Sequence, residues 1–348
     1  MESLLGKNID ELQDVAVAAG LPRYTGKQLA EWLYRKRAES FEEMTNISVK
    51  GRQTLANGFA AGRKKPVTEV RSEDGTRKFL FQVGTEYVET VLIPEEERNT
   101  LCISTQAGCR MRCAFCMTGT LGFRKHLTAA EMLNQILTVD GMIDGGLTNL
   151  VLMGEGEPMD NLDEVLRALN VLTAPWGYGW SPKRITVSSV GVMPGLARFL
   201  QESDCHVAIS LHNPFHEERA AIMPAEKACP VADIVRMLKK YDFAHQRRLS
   251  FEYICWSGMN DTLRHANELV RLLRGLPCRV NLIRFHEGKE NGQFTVNNTT
   301  LHFPSSEEKQ MIWLRDYLTG HGITTTIRRS RGEDILAACG MLVNALKE

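Results

Sequence analysis

Cys109, Cys113 and Cys116 place three thiols within eight residues, spaced by three and then two intervening positions. That set is too small and too irregular for the paired knuckles of a structural zinc site. A four-iron, four-sulfur cluster takes one thiolate per iron, so three cysteines leave one iron open to an exchangeable ligand. S-adenosylmethionine (SAM), with adjacent amino and carboxylate groups, is such a ligand. The alternative at this point is a zinc site or scattered buried cysteines.

The elements that would hold this loop follow a regular rhythm. From Asn99 onward, β-type runs at Leu101–Thr105, Asn149–Met153, Arg184–Ser189, Val207–Leu211, Leu249–Tyr253 and Arg279–Ile283 alternate with amphipathic stretches. The helical stretches are Thr128–Met142, Leu162–Leu172, Met193–Glu202, Val231–Tyr241, Arg264–Leu273 and Ser306–Thr319, and Thr128 with Glu131 forms a capping-box pattern. Strict alternation implies an α/β fold of parallel strands joined by right-handed crossovers, a barrel or partial barrel. Chemistry in such folds gathers where the strands end. There the sequence places the three cysteines, Gly154-Glu155-Gly156-Glu157-Pro158, Ser188, and Ser210-Leu211-His212. Residues before about 95 read instead as a helical module followed by a small β segment.

Composition narrows the class without naming it. The 348 residues carry 42 basic and 42 acidic side chains, so any polyanion would have to be met by local patches. Candidate patches are Arg63-Lys64-Lys65 with Arg71, Arg77 and Lys78, Arg124-Lys125-His126, and Arg328-Arg329-Ser330-Arg331. Each reads equally well as a solvated charge run. No membrane-spanning run or secretory leader is visible, which predicts a cytoplasmic protein with no membrane association. Nine cysteines in such a compartment argue against a disulfide scaffold. Cys205, Cys229, Cys255 and Cys278 lack metal-like spacing, and packing is their default role.

Two further stretches narrow the reading. Cys102-Ile103-Ser104-Thr105-Gln106-Ala107-Gly108-Cys109 and Gly332-Glu333-Asp334-Ile335-Leu336-Ala337-Ala338-Cys339-Gly340 stand beside the cysteine triad, with Phe41-Glu42-Glu43-Met44-Thr45 and Val88-Glu89-Thr90-Val91 upstream. Together they resemble the RlmN/Cfr family of radical-SAM RNA adenine methyltransferases over essentially the whole chain. The resemblance implies a partial (β/α)6 radical-SAM barrel over 99–348, a small N-terminal helical RNA-binding domain over 1–60, and a β extension over 61–98. It implies a 4Fe-4S cluster on the triad, SAM, an RNA substrate (23S rRNA and also tRNA), an electron donor such as flavodoxin or ferredoxin, and a monomer.

The resemblance also assigns roles. Adenine carbon 2 is a poor nucleophile, so direct attack on a sulfonium methyl is a poor route. Cys339 instead accepts a methyl group, hydrogen is abstracted from it, and the carbon radical adds to the ring. Cys102 then releases the adduct by thiol exchange while Glu89 removes the ring proton. Without the family, Glu89 on its β run would be read as solvent-facing and either thiol as buried packing. Gly156, Glu157, Ser188, Ser210, Leu211 and His212 are expected around SAM, although Ser188 and His212 could equally be satisfied groups at strand ends. The family's asparagine and proline after the sixth strand are replaced by Phe285-His286-Glu287, with His286 the expected ribose or base contact. Glu155 stands where methionine is common, and Ala225-Glu226 departs from the usual loop. The alternatives are carbon-8 methylation in the manner of Cfr, or the same chemistry on another RNA by a diverged paralogue; a non-catalytic iron–sulfur or zinc protein that binds RNA would explain the triad and the basic patches but not Cys339 with Cys102.

Overall fold

The computed structural model describes residues 1–245, 247–286, 293–296, 299–302, 304–338 and 340–342. Its centre is one ten-stranded sheet whose strands lie side by side in chain order. Three antiparallel strands come first: β1 (Thr68–Arg71), β2 (Arg77–Val83) and β3 (Glu86–Glu95). Seven parallel strands follow: β4 (Arg98–Cys102), β5 (Asn149–Leu152), β6 (Ile185–Ser189), β7 (His206–Ser210), β8 (Leu249–Cys255), β9 (Arg279–Arg284) and β10 (Thr324–Ile327). β3 pairs antiparallel with β4, so the early β segment continues the sheet that carries the site. The six expected strands are all present, and β10 adds a seventh. Its Thr-Thr-Thr-Ile run lacks the apolar content that marks a strand in sequence, because it is a half-exposed edge.

The period-two alternation of these strands divides the sheet into two faces with different jobs. Leu101, Leu150, Leu152, Ile185, Val187, Val207, Ile209, Phe251, Val280 and Leu282 are buried in the main core. The crossover helices cover that face: α4 (Ala129–Asp140), α5 (Leu162–Thr173), α6 (Met193–Glu202), α7 (Val231–Leu238), α8 (Leu263–Leu273) and α9 (Glu308–Gly320), numbered after three helices in the first sixty residues. The opposite phase carries Thr100, Thr186, Ser188, Ser250, Glu252 and Asn281, and lines open space inside the curved sheet. A polar inner face cannot close on itself by packing, so the fold keeps a lumen.

The N-terminal module is built on α1 (Ile9–Ala18), α2 (Thr25–Ala30) and α3 (Val49–Gly58). Asn8 and Glu11 form a reciprocal capping box on α1, as Thr128 and Glu131 do on α4. Leu12, Leu29, Leu33, Tyr34 and Leu55 share one continuous core with the sheet and its helices. Polar ties reinforce the join: Arg167 Nε donates to Gly6 O at 2.7 Å, and Arg63 Nη2 pairs with Glu39 at 2.9 Å while Nη1 donates to Leu137 O at 2.8 Å. Arg63 is therefore a tether between parts of the fold.

Asp140, buried at the end of α4, accepts from Leu147 N at 2.6 Å and bonds Arg37 and the Tyr178 hydroxyl. Removing this carboxylate strands three donors at the seam. Asp140→Ala should cost about 1.5–3 kcal/mol, the range for hydrogen bonds to a charged group, read as a lowered urea midpoint at unchanged slope. An unchanged midpoint would show that the seam does not depend on it.

Candidate functional site

The cysteine loop hangs between two short antiparallel segments, Gln106–Ala107 and Lys125–His126. Its entrance is fixed from three sides. Gln135 of α4 accepts from Ser104 N at 3.0 Å and donates to Ser104 O at 3.1 Å, and Asn161 Nδ2 donates to Thr105 O at 2.9 Å. Glu155 Oε1 accepts from Glu89 N at 2.8 Å, and Oε2 accepts from Gly108 N at 3.4 Å. This carboxylate thus bridges β3 to the start of the loop. Gly108 has φ +70°, and a Cβ there would lie 1.8 Å from Gly122 O, so only glycine allows the turn.

Cys109, Cys113 and Cys116 line one cavity of about 150 Å³ together with Gly156, Glu157, Ser188, Ser210 and His212. Residues from loops far apart in sequence therefore meet at the C-terminal ends of the strands. Burial pushes the Cys109 thiol up to about 12, and it raises Cys113 and Cys116 as well, reinforced at Cys109 and Cys113 by the neighbouring sulfurs. Three thiols so close together, Cys109 and Cys113 buried and Cys116 half-buried, can all be thiolates only when cations lie among them. Among the described residues no three His, Cys, Asp or Glu side chains are placed to chelate a single ion. The donor set fits a polynuclear centre in which each sulfur serves its own iron.

The rest of the cavity suits a cationic, amino-bearing ligand. Glu157 is fully buried; Oε2 accepts from Val190 N at 2.8 Å and Oε1 from Met159 N at 3.0 Å, and burial lifts its carboxyl to about 7. His212 adopts φ +54° at the end of β7, where Nδ1 accepts from Ile254 N at 3.0 Å. Burial drives its imidazole down to about 3, so the ring is neutral with its proton on Nε2. Phe115 and Trp256 pack beside it at 4.9 and 6.4 Å between ring centres. Leu211 does not line this cavity; its side chain belongs to the core, and its carbonyl accepts from Arg219 Nε at 2.9 Å.

Arg219 carries no signal in the sequence, yet it is fully buried. It bonds Glu226 and donates to Ser210 O at 2.7 Å and Val190 O at 2.9 Å, thereby fixing two of the strand ends around the cavity. Glu226 is the counter-charge that makes this burial tolerable. Asn260 works similarly, donating to His212 O and Ile254 O at 2.7 and 2.6 Å.

A second group sits lower on the inner face. Val91 faces Cys102 and Lys78 faces Val91 in the strand registers, so Lys78, Glu89 and Cys102 share one side of the sheet. Glu89 is buried, not solvent-facing, and its Oε1 lies 3.0 Å from Lys78 Nζ. Cys102 packs with Val91, Ala337 and Leu342. Cys339 lies outside the described residues, but its neighbours bracket the two groups. Gly340 O accepts from Met117 N at 2.8 Å beside the cysteine loop, while Ala337 and Ala338 face the lower lumen. His286 also faces that lumen, with Nε2 2.7 Å from Ser330 Oγ, and not the three-cysteine cavity. Glu287 lies outside the described residues.

Most of the basic stretches legible in sequence are neutralised locally. Arg71 and Arg77 share Glu69 at 2.7 Å, Arg124 pairs with Glu86 at 3.0 Å, and Lys125 pairs with Glu131 at 2.6 Å. Cys205 and Cys255 are core residues, with Cys229 and Cys278 packed against that core.

Comparison with known proteins agrees with this layout. A model of the radical SAM superfamily matches residues 103–273, and one of the ribosomal RNA large subunit methyltransferase N-terminal domain matches residues 2–60. The chain is 54% identical over 346 residues to a probable dual-specificity RNA methyltransferase RlmN of Bacteroides fragilis, covering 99% of this chain and 97% of that protein. It is 55% identical over 347 residues to a counterpart of the same name in Porphyromonas gingivalis, covering 99% and 98%. A radical SAM methyltransferase of known structure from Sphaerobacter thermophilus superposes with a TM-score of 0.89 at 34% identity, covering 99% of this chain and all of that one. Matched from end to end by such relatives, with the superfamily's cysteine loop at the mouth of its barrel, the chain belongs to the RlmN family of radical-SAM RNA methyltransferases.

Proposed function

We propose that the protein methylates carbon 2 of an adenosine in 23S rRNA, and of an adenosine in tRNA, through a methyl group carried on Cys339. The observation that carries this reading is the convergence of Glu89, Cys102 and the residues flanking Cys339 on one inner face, next to the three-cysteine cavity. In this reading residues 1–60 are the RNA-binding accessory domain, 61–98 the extension, and 99–348 the barrel with its methyl-carrying tail. The centre on Cys109, Cys113 and Cys116 is a 4Fe-4S cluster fed by a carrier such as flavodoxin or ferredoxin. The protein acts in the cytoplasm as a monomer; among the described residues no helix is long and apolar enough to cross a membrane.

Bound together, the cluster and SAM supply one-electron cleavage of a sulfonium bond, hence a radical able to take hydrogen from an unactivated methyl group, and the cluster a sink for the odd electron of the adenine adduct. Glu157 offers its carboxylate to the SAM amino group, Gly156 gives close backbone approach, and neutral His212 offers Nε2–H, while Ser188 and Ser210 line the same wall. The Cys339 sulfur holds the one-carbon unit until it is bonded to the adenine. Glu89 then takes the proton from carbon 2, Cys102 sulfur attacks Cys339 sulfur to form a disulfide as the carbon–sulfur bond breaks, and the released carbon gains a proton to become the methyl group. Lys78 fixes the Glu89 carboxylate by an ion pair and donates to Leu336 O at 3.3 Å, which ties the base to the tail that bears the carrier.

Nuclease digestion and mass spectrometry of RNA treated with anaerobically reconstituted protein should yield adenosine methylated on carbon 2; a carbon-8 product would overturn the regiochemistry. Cys102→Ala should leave RNA covalently attached to protein, seen as a shifted band resistant to denaturant; free methylated RNA at the wild-type rate would remove Cys102 from the release step. Glu157→Gln should weaken SAM binding by roughly ten- to a hundredfold, the worth of a charge-assisted bond, measured by equilibrium dialysis of cluster-loaded protein. Unchanged affinity would place the amino group elsewhere.

A further inference from the structure

The strand ends opposite the cysteine loop carry a feature that neither the sequence motifs nor the relatives' names specify. Arg98, His206 and Arg279 are the first residues of β4, β7 and β9, while Arg184 and Arg248 stand immediately before β6 and β8. All five line the lower lumen, a cavity of about 450 Å³, and Lys183 joins them. By strand alternation they fall in the same phase as Ser188 and Ser210, four residues higher, a rise of about 13 Å. The same wall thus ends in cofactor-lining hydroxyls above and a ring of cations below.

This ring is not held by acids. Glu95 is the one carboxylate among the described residues that line the lumen, and it lies 4.0 Å from Arg98. Lys183, Arg184, Arg248 and Arg279 make no ion pair among the described residues. The positive field is felt inside the ring: burial, then Arg248, Lys183 and Arg247, push His206 down to about 4, and its Nδ1 accepts from Arg248 N at 2.8 Å. The start of parallel strands usually serves stability, but unpaired like charges side by side oppose folding. In a chain of zero formal charge, such a concentration calls for an external polyanion.

We propose that this cationic rim is where the RNA enters, its arginines and lysine holding the phosphates that flank the target adenosine while the base is extruded upward into the lumen. The inference rests on the RNA methyltransferase reading and deepens it. The lumen above the rim leads to Ala337 and Ala338, beside the methyl-carrying position, so a base pushed inward from the rim approaches that position. Enzymes that modify a base commonly extrude it in this way, with phosphate contacts supplying affinity and register. An acidic electron-transfer protein fits this rim less well, because the cysteine loop it must reach lies at the other ends of the strands.

The test uses full-length, cluster-loaded protein with Lys183, Arg248 and Arg279 changed together to glutamine, and a companion with both arginines changed to lysine. Affinities for protein-free 23S rRNA and for bulk tRNA are measured against salt. The glutamine variant should bind at least tenfold more weakly, its log–log salt slope should shrink by about 2–3, and the lysine companion should retain both. Cofactor affinity should equal wild type, and the thermal midpoint should hold or rise as repulsion is relieved. Wild-type RNA affinity and slope in the glutamine variant would overturn the proposal. So would a loss confined to flavodoxin-driven reduction, or one explained by a lowered midpoint. The two readings separate cleanly: wild-type protein making no methyladenosine refutes the function, whereas methylation by wild type with unaltered RNA binding in the variant refutes only the rim.

Discussion

Three thiols in one mainly apolar cavity cannot all ionise unless positive charge comes between them, and the rest of the structure is arranged around that constraint. The loop bearing Cys109, Cys113 and Cys116 has almost no regular structure of its own, so its shape is imposed from outside. Gln135 and Asn161 grip its approach, Glu155 ties it to β3, and the tail at Gly340 closes over it. Each tie is a hydrogen bond made by a buried polar group, costly if broken and therefore effective in fixing position.

The curved sheet supports this loop by giving its two faces opposite characters. Apolar residues of one phase pack under the helices and provide cohesion, while the other phase stays polar and open. Along the open phase the chemistry changes with height: thiols and the Glu157 carboxylate at the top, the Glu89–Lys78 pair and Cys102 along one flank, and cations at the bottom. Arg219 with Glu226 is the concealed counterpart, an ion pair used to hold strand ends and not to touch a ligand.

Much of this was legible in the sequence because the signals were local. The cysteine spacing, the alternation of strands and helices, and the Thr128–Glu131 cap each lie within a short window, and the structure places them as expected. What escaped depends on partners distant along the chain. Glu89 looked exposed because its lysine sits on the neighbouring strand; Arg219 gave no signal because its acceptors are strand ends, and β10 gave none because it is a polar edge. The strand-start cations escaped for the same reason, since they are scattered along the chain, singly or in pairs such as Lys183-Arg184, until the sheet lines them up. Conversely, the basic runs visible in sequence were mostly neutralised by acids brought near by pairing.

The central claim is that the methyl carbon waits on a protein sulfur and loses a hydrogen before it meets the adenine. Supplying SAM whose methyl group is fully deuterated, and weighing the methylated adenosine from a reaction run to many turnovers, tests this directly. A product methyl retaining two deuteriums is the predicted result. Retention of all three would mean intact transfer of the methyl group, and would contradict the account.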